Sequence, residues 1–191
     1  MKKIISILIL ALICYVTNAQ VFSLGASGTF YGQERIRLAQ SKGEEYSEDN
    51  RFCPVYGGSI FCEKIWSGVN LLFEGSYSTG KLSEHVKGIM ESPSYSSISA
   101  MVFPGYTIRA KKRFQIPVYI GVGYNHIKTD LLNTGQIAFG AKLRMKLYVS
   151  NSVGIFIGGN WKGGYGTYKS GSNYNVYTRE LSAECGLLVS L

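Results

Sequence analysis

Apolar and polar residues alternate along most of this chain with a period of two. Residues 69–78 read Val-Asn-Leu-Leu-Phe-Glu-Gly-Ser-Tyr-Ser, which puts Val69, Leu71, Phe73 and Tyr77 on one face and Asn70, Glu74, Ser76 and Ser78 on the other. Between 114 and 125, Phe114, Ile116, Val118, Ile120, Val122 and Tyr124 share a face. The longest case is 136–149, where Ile137, Phe139, Ala141, Leu143, Met145, Leu147 and Val149 alternate with Gln136, Gly140, Lys142, Arg144 and Lys146. A helix, with its 3.6-residue period, would mix these sets, whereas a strand separates them. The pattern predicts eight strands, at roughly 20–32, 53–64, 68–80, 95–109, 114–127, 135–149, 153–167 and 177–191. Most exceed the five or six residues usual in soluble sheets, and they suffice for the about 9–11 residues with which a tilted strand crosses a bilayer.

The connections alternate too. Tight turns are expected near Trp66-Ser67-Gly68, Lys111-Lys112-Arg113 and Ser150-Asn151-Ser152, and longer polar segments at about 33–52, 81–94, 128–134 and 168–176. Short turns at one end and long loops at the other are the pattern of outer-membrane barrels, with both termini on the short-turn, periplasmic side. Pro104 and Pro117 fit least well, because proline donates no ladder hydrogen bond and a closed barrel has no edge strand to shelter it. With a turn near Lys111-Lys112, Pro104 should fall opposite Tyr119 and Pro117 opposite Tyr106. Irregular pairing is expected there, between about 103 and 119, with the two strands still adjacent.

A sheet in hydrocarbon must close on itself, since unpaired backbone groups are too costly there. Eight strands enclose a space just wide enough for side chains to fill. The polar faces collect Glu63, Glu74, Arg109, Lys142, Arg144, Lys146, Lys162, Glu180 and Glu184, charges of both signs in comparable number. They are expected to pair inside as a plug of salt bridges, because an unpaired buried charge costs several kcal/mol. The fold class is therefore all-β: an eight-stranded antiparallel up-and-down transmembrane β-barrel. The mirror arrangement, a soluble lipocalin-like barrel with its apolar face inside, is the alternative. It would leave Gly121, Gly123, Gly140, Gly154 and Gly158 on a bare water-facing surface, and no helix follows the last strand.

Composition and charge then refine this picture. Met1-Lys2-Lys3 precedes an apolar run from Ile4 to Val16, and Thr17-Asn18-Ala19 supplies small residues for a peptidase. This is the three-part pattern of a secretory leader; cleavage is expected after Ala19, leaving 20–191 as one barrel domain. No other stretch is long and apolar enough for a membrane-spanning helix. The abundance of Gly (23), Tyr (14) and Phe (9) against four Pro suits strands and turns. The formal charge of +8 is scattered, without a basic stripe interleaved with aromatics, so nucleic acid is not an expected partner. Beyond the leader the cysteines are Cys53, Cys62 and Cys185, an odd number that cannot form a closed disulfide framework.

The chain resembles the small eight-stranded outer-membrane barrels, the OmpA/OmpX-like transmembrane domains. The segments that carry the resemblance are Pro117-Val118-Tyr119-Ile120-Gly121-Val122-Gly123-Tyr124 and the final strand, where Leu181, Ala183, Cys185, Leu187, Val189 and Leu191 alternate to the last residue. Similar barrels often end in Phe; this one ends in Leu. The resemblance implies contact with outer-membrane lipids and lipopolysaccharide, recognition of the last strand by the barrel-assembly machinery, and loops through which an extracellular partner would dock. It implies no particular oligomer. Relatives include adhesins, anchors and enzymes, so the fold does not choose among them.

Chemistry-bearing patterns are few. His85 lies in a polar loop. His126 stands at the end of the fifth strand, where lipid A deacylases carry a catalytic histidine with a serine two residues on; here that position is Lys128, so the nucleophile is missing. The cysteines make no Cys-x-x-Cys or Cys/His cluster, and Glu44, Glu45, Glu48 and Asp49 lack the spacing of a defined calcium loop. Gly163-Gly164-Tyr165-Gly166 sits within a strand pattern and not before a helix, so it is no phosphate loop. No catalytic residue, metal ligand or cofactor is expected. The favoured function is that of a non-catalytic outer-membrane protein with a structural or surface-interaction role. The alternatives are a small-ligand or lipid-binding barrel, lipocalin-like or laterally open, and a lipid-modifying enzyme.

Overall fold

A computed structural model describes residues 21–40, 49–66, 68–81, 94–111, 113–129, 132–170 and 172–191. They form β1 (Val21–Gln40), β2 (Asp49–Trp66), β3 (Val69–Lys81), β4 (Ser94–Lys111), β5 (Phe114–Thr129), β6 (Asn133–Tyr148), β7 (Val153–Ser170) and β8 (Ser172–Ser190). Each strand pairs antiparallel with its sequence neighbours, and β8 pairs with β1 to close the barrel. The seam runs from Ser23 opposite Ser190 to Gln40 opposite Tyr174. It is finished at one end by the Leu191 amide, which donates to the Phe22 carbonyl at 2.8 Å. The expected leader, residues 1–19, lies outside the described residues.

Side-chain alternation decides which way each face points. Ile120, Val122, Leu143, Leu147, Ile155 and Leu187 are all well exposed on the outer wall. Inside, bulky rings are accommodated by glycines on the neighbouring strand. A Cβ on Gly25 would lie 2.3 Å from the Phe61 ring, one on Gly121 2.3 Å from Phe103, and one on Gly186 2.6 Å from Phe156. The lumen therefore pairs large with absent side chains, which lets it fill without forcing the strands apart.

At the short-turn end, Gly68 has φ +99° and its carbonyl accepts from the Thr107 amide at 2.7 Å. The β6–β7 turn is held by Ser150, whose hydroxyl accepts from the Val153 amide at 3.0 Å. At the opposite end the structure departs from the sequence reading. Segments 33–40 and 49–52 are strand, so β1 and β2 run well beyond their expected ends. The expected loop at 168–176 is almost entirely paired strand, with Ser170 opposite Ser172. Between β5 and β6 the Leu132 amide donates to the Thr129 hydroxyl at 2.9 Å in a tight connection. Only the connections at 41–48 and 82–93 remain longer. The extensions are largely polar ladders, without the apolar alternation that marks the rest of these strands.

A second departure lies in β1. Phe30 and Tyr31 both face outward, 62% and 58% exposed, and the register shifts there against both β2 and β8. This bulge reverses the phase of the strand, so Gly32, Glu34 and Ile36 point inward where an unbroken alternation would have turned them out.

The two prolines interrupt pairing without displacing it. Toward β5, the ladder lapses at Phe103 and Pro104 and resumes in the same register at Gly105 opposite Tyr119. Toward β6, it lapses at Ile116 and Pro117 and resumes at Val118 opposite Leu143. Thr107, not Tyr106, stands opposite Pro117, because an irregularity between Arg109 and Lys111 shifts the register by one. The gaps are thus two, one in each seam, and not the single shared bulge a symmetric turn would have given.

Ile120 is 69% exposed at mid-wall. An Ile120→Arg variant should lose about 2–4 kcal/mol of stability in bilayers, the cost of a midplane arginine on a barrel. Ser76→Ala loses one hydrogen bond, 2.6 Å to Ser99, and should cost only about 1 kcal/mol. Urea unfolding in lipid vesicles measures both; equal losses would contradict the assigned faces.

Candidate functional site in the barrel lumen

The interior is layered. Near the short-turn end lies an apolar cluster that includes Phe61, Leu72, Met101, Phe103, Tyr119, Phe156 and Leu188. Near the other end lies a second, formed by Ile36, Val55, Tyr95, Ile127, Leu132 and Val176. Charged groups are packed among and between them. The alternation of the sequence drew attention to the polar members of the inward face and passed over these apolar ones, which occupy the same face.

At the centre, β3, β6 and β8 bring four charges together. Lys142 Nζ lies 2.7 Å from Glu74 Oε1 and 3.3 Å from Glu184 Oε2. Arg144 reaches Glu74 through Nη2 at 2.7 Å and Glu184 through Nε at 2.8 Å. The guanidinium also lies between two rings, 4.3 Å from the centroid of Phe61 and 4.6 Å from that of Phe156. These rings meet edge to face at 5.5 Å. A delocalised, weakly hydrated cation suits such a place better than an ammonium would. The Ser27 hydroxyl donates to Glu184 Oε2 at 3.0 Å.

Toward the short turns, Glu63 pairs with Lys146, both completely buried. Its Oε1 also accepts from the Tyr119 hydroxyl at 2.6 Å and from the Asn70 amide at 2.9 Å. Toward the long-loop end, Lys162 pairs with Glu180 at 2.8 Å. Beside them Glu34, turned inward by the bulge, accepts from the Tyr95 hydroxyl across the lumen.

Eight of the nine sequence-selected residues, Glu63, Glu74, Lys142, Arg144, Lys146, Lys162, Glu180 and Glu184, are buried inside and ion-paired. The side chain of Arg109 lies outside the described residues; its backbone pairs with Gln115. Sequence reasoning missed Glu34, Tyr95 and Tyr119. The bulge hid the first, and the two tyrosines read as ordinary strand aromatics. Of the other candidates, His126 is half-buried on the outer wall between Ile98 and Gly135. Cys62 and Cys185 are free thiols on that wall, separated by β1. His85, Glu44, Glu45 and Glu48 lie outside the described residues, as do the side chains of Asp49 and Cys53. Among the described residues no group of three His, Cys, Asp or Glu side chains could hold a metal ion.

This architecture is the closed eight-stranded antiparallel barrel of the small outer-membrane proteins. Solved structures of that kind match it. One is the Neisserial surface protein A, 16% identical over 88% of this chain and 96% of its own, with a TM-score of 0.55. Another is the outer membrane protein OprG from Pseudomonas aeruginosa, 6% identical over 91% and 97%, with a TM-score of 0.59. A third is the outer membrane protein AlkL in DMPC bilayers, 13% identical over 91% of each chain, with a TM-score of 0.53. No family model and no curated protein matches the chain.

Lys146→Met should cost about 3–5 kcal/mol, because it leaves the buried Glu63 carboxylate without its cation. Adding Glu63→Gln removes that charge and keeps an oxygen for Tyr119 and Asn70, so the double variant should recover more than half of the loss. Unfolding titrations of refolded protein measure this. A double variant no better than the single one would mean that the pair is not the source of the effect.

Proposed function

We propose that the chain is an integral protein of a bacterial outer membrane, exported by its leader, with a side-chain-filled lumen and a structural or surface-interaction role. The observation that carries this reading is the inversion of the barrel. Its outer wall is apolar from Val69 through Leu147 to Leu187, and its inside holds paired charges. A water-soluble barrel needs the reverse. The largest rings on the outer wall also fall into two levels: Tyr106 and Trp66 near the short turns, and Tyr77, Tyr124, Trp161, Tyr165 and Tyr177 toward the other end. Such girdles flank the apolar band of outer-membrane barrels.

A non-catalytic role is favoured by the placement of His126, which faces outward with Lys128 at the position a serine nucleophile would need. The small-ligand reading finds less support. The lumen is occupied by side chains, and a depression of about 630 Å³ lined by Leu24, Ile60, Phe73 and Val102 opens on the outer wall. Contacts with an extracellular partner would be made by the connections at 41–48 and 82–93, which join strands at the end opposite the short turns.

When the full chain is expressed in a Gram-negative host, it should stay in the membrane pellet through alkaline carbonate. Protease added to intact cells should cut within 41–48 or 82–93. Release by carbonate without detergent would exclude the integral-barrel reading, and cleavage confined to the short turns would invert its orientation.

A further inference from the structure

The bulge at Phe30 and Tyr31 turns one carboxylate more into the lumen than the cations there can match. Among the described side chains that face inward, the carboxylates are Glu34, Glu63, Glu74, Glu180 and Glu184, and the cations are Lys142, Arg144, Lys146 and Lys162. Glu63 is paired with Lys146, Glu74 and Glu184 share Lys142 and Arg144, and Glu180 is paired with Lys162. Glu34 has no such partner, although it is completely buried. Its Oε2 accepts from the Tyr95 hydroxyl, and its Oε1 has no hydrogen-bond partner.

The surroundings make an ionised Glu34 costly. It stands directly opposite Glu180 across the β1–β8 seam, and Glu180 stands directly opposite Lys162 on β7. One ammonium thus serves two carboxylates, and like charges directly opposite each other on neighbouring strands repel. The charged groups that act on Glu34 are Glu180 and Lys162, with the Tyr95 phenol from β4. Toward the far end the group is closed over by Ile36, Val55, Ile127, Leu132 and Val176. On β2, Cys53 stands opposite Glu34 and Arg51 opposite Ile36, with side chains outside the described residues. Glu180 Oε1 accepts from Ser182 at 3.1 Å, and Oε2 contacts Lys162 at 2.8 Å. A carboxylate oxygen has two lone pairs, so Oε2 can accept a further hydrogen bond.

We propose that Glu34 is a neutral carboxylic acid whose proton, on Oε1, is shared with Glu180, so that the pair carries one negative charge and Lys162 balances it. The proton removes the surplus charge, makes a donor of the oxygen that has no partner, and turns repulsion across the seam into a hydrogen bond. Its loss sets two negative charges opposite each other where β1 and β8 close the barrel, so the stability of that closure depends on pH. The proposal needs the closed barrel and not the membrane around it.

Infrared spectroscopy of the full chain refolded in detergent micelles tests this, because protonated and ionised carboxyls absorb at separate frequencies. At neutral pH, where exposed carboxyls are ionised, the wild-type chain should keep a protonated-carboxyl band. Glu34→Gln should remove it. Glu180→Gln should remove it too, because Glu34 then takes Lys162 as its own cation and ionises. Glu63→Gln should leave it in place. The folded chain holds a proton that the unfolded chain has lost, so stability should fall as pH rises. In urea titrations the folding equilibrium constant should drop by up to about tenfold per pH unit until the folded chain also gives the proton up. Glu34→Gln should lack this part of the slope.

A wild-type chain without the band would overturn the proposal: Glu34 would then be ionised and balanced by another cation, such as Arg51, or by water. A band that survives Glu34→Gln would place the proton on another group, and one that survives Glu180→Gln would refute the sharing. Equal pH slopes in the wild-type and Glu34→Gln chains would contradict it as well. The wild-type spectrum needs no substitution, so it decides the matter even where a variant fails to fold.

Discussion

The rest of the structure depends on neutralising charge inside a narrow barrel. Eight strands leave no room for a water column to solvate ions, so a charge on the inner face must meet an opposite charge or a hydrogen-bond donor there. Arg144 shows how this is met. It bridges Glu74 on β3 and Glu184 on β8 and stacks on Phe61 and Phe156, so one side chain ties β2, β3, β6, β7 and β8 together across the lumen. The hydrogen-bonded seams set which strands are neighbours. The cross-lumen contacts set the shape of the section they enclose.

Glycine placement follows from the same constraint. Rings as large as Phe61, Phe103 and Phe156 fit inside only where the adjacent strand offers Gly25, Gly121 and Gly186. The inner face is therefore not simply polar. It is a packed core in which salt bridges replace part of the hydrophobic contact, while a large apolar surface is turned outward. A soluble domain divides its residues the other way, which is why the same period-two pattern is compatible with both kinds of barrel until the occupants of the inner face are counted.

Much of this was legible in the alternation itself. Each charged residue of 136–149 sits on the opposite face from Leu143 and Leu147, and a period of two leaves no other place for it. The alternation was silent where the backbone breaks phase. At Phe30 and Tyr31 one extra residue turns Glu34 inward, and nothing in the local composition marks it. It was also silent where strands leave the apolar band, so that 168–176 looked like a loop although it is hydrogen-bonded ladder. Pro104 and Pro117 gave the correct warning of missing bonds, but not their distribution. Each interrupts a single seam, because a proline can lack its amide toward one neighbour while its other edge stays paired.

The central claim is that the lumen is closed by its own side chains. Single-channel recording of the refolded full chain in planar bilayers tests it most directly. A filled lumen predicts no steady current steps beyond the baseline, and the appearance of conductance when Arg144 and Phe61 are both replaced by alanine in a chain that still folds. Stable, uniform steps of nanosiemens size from the unaltered monomer would contradict it.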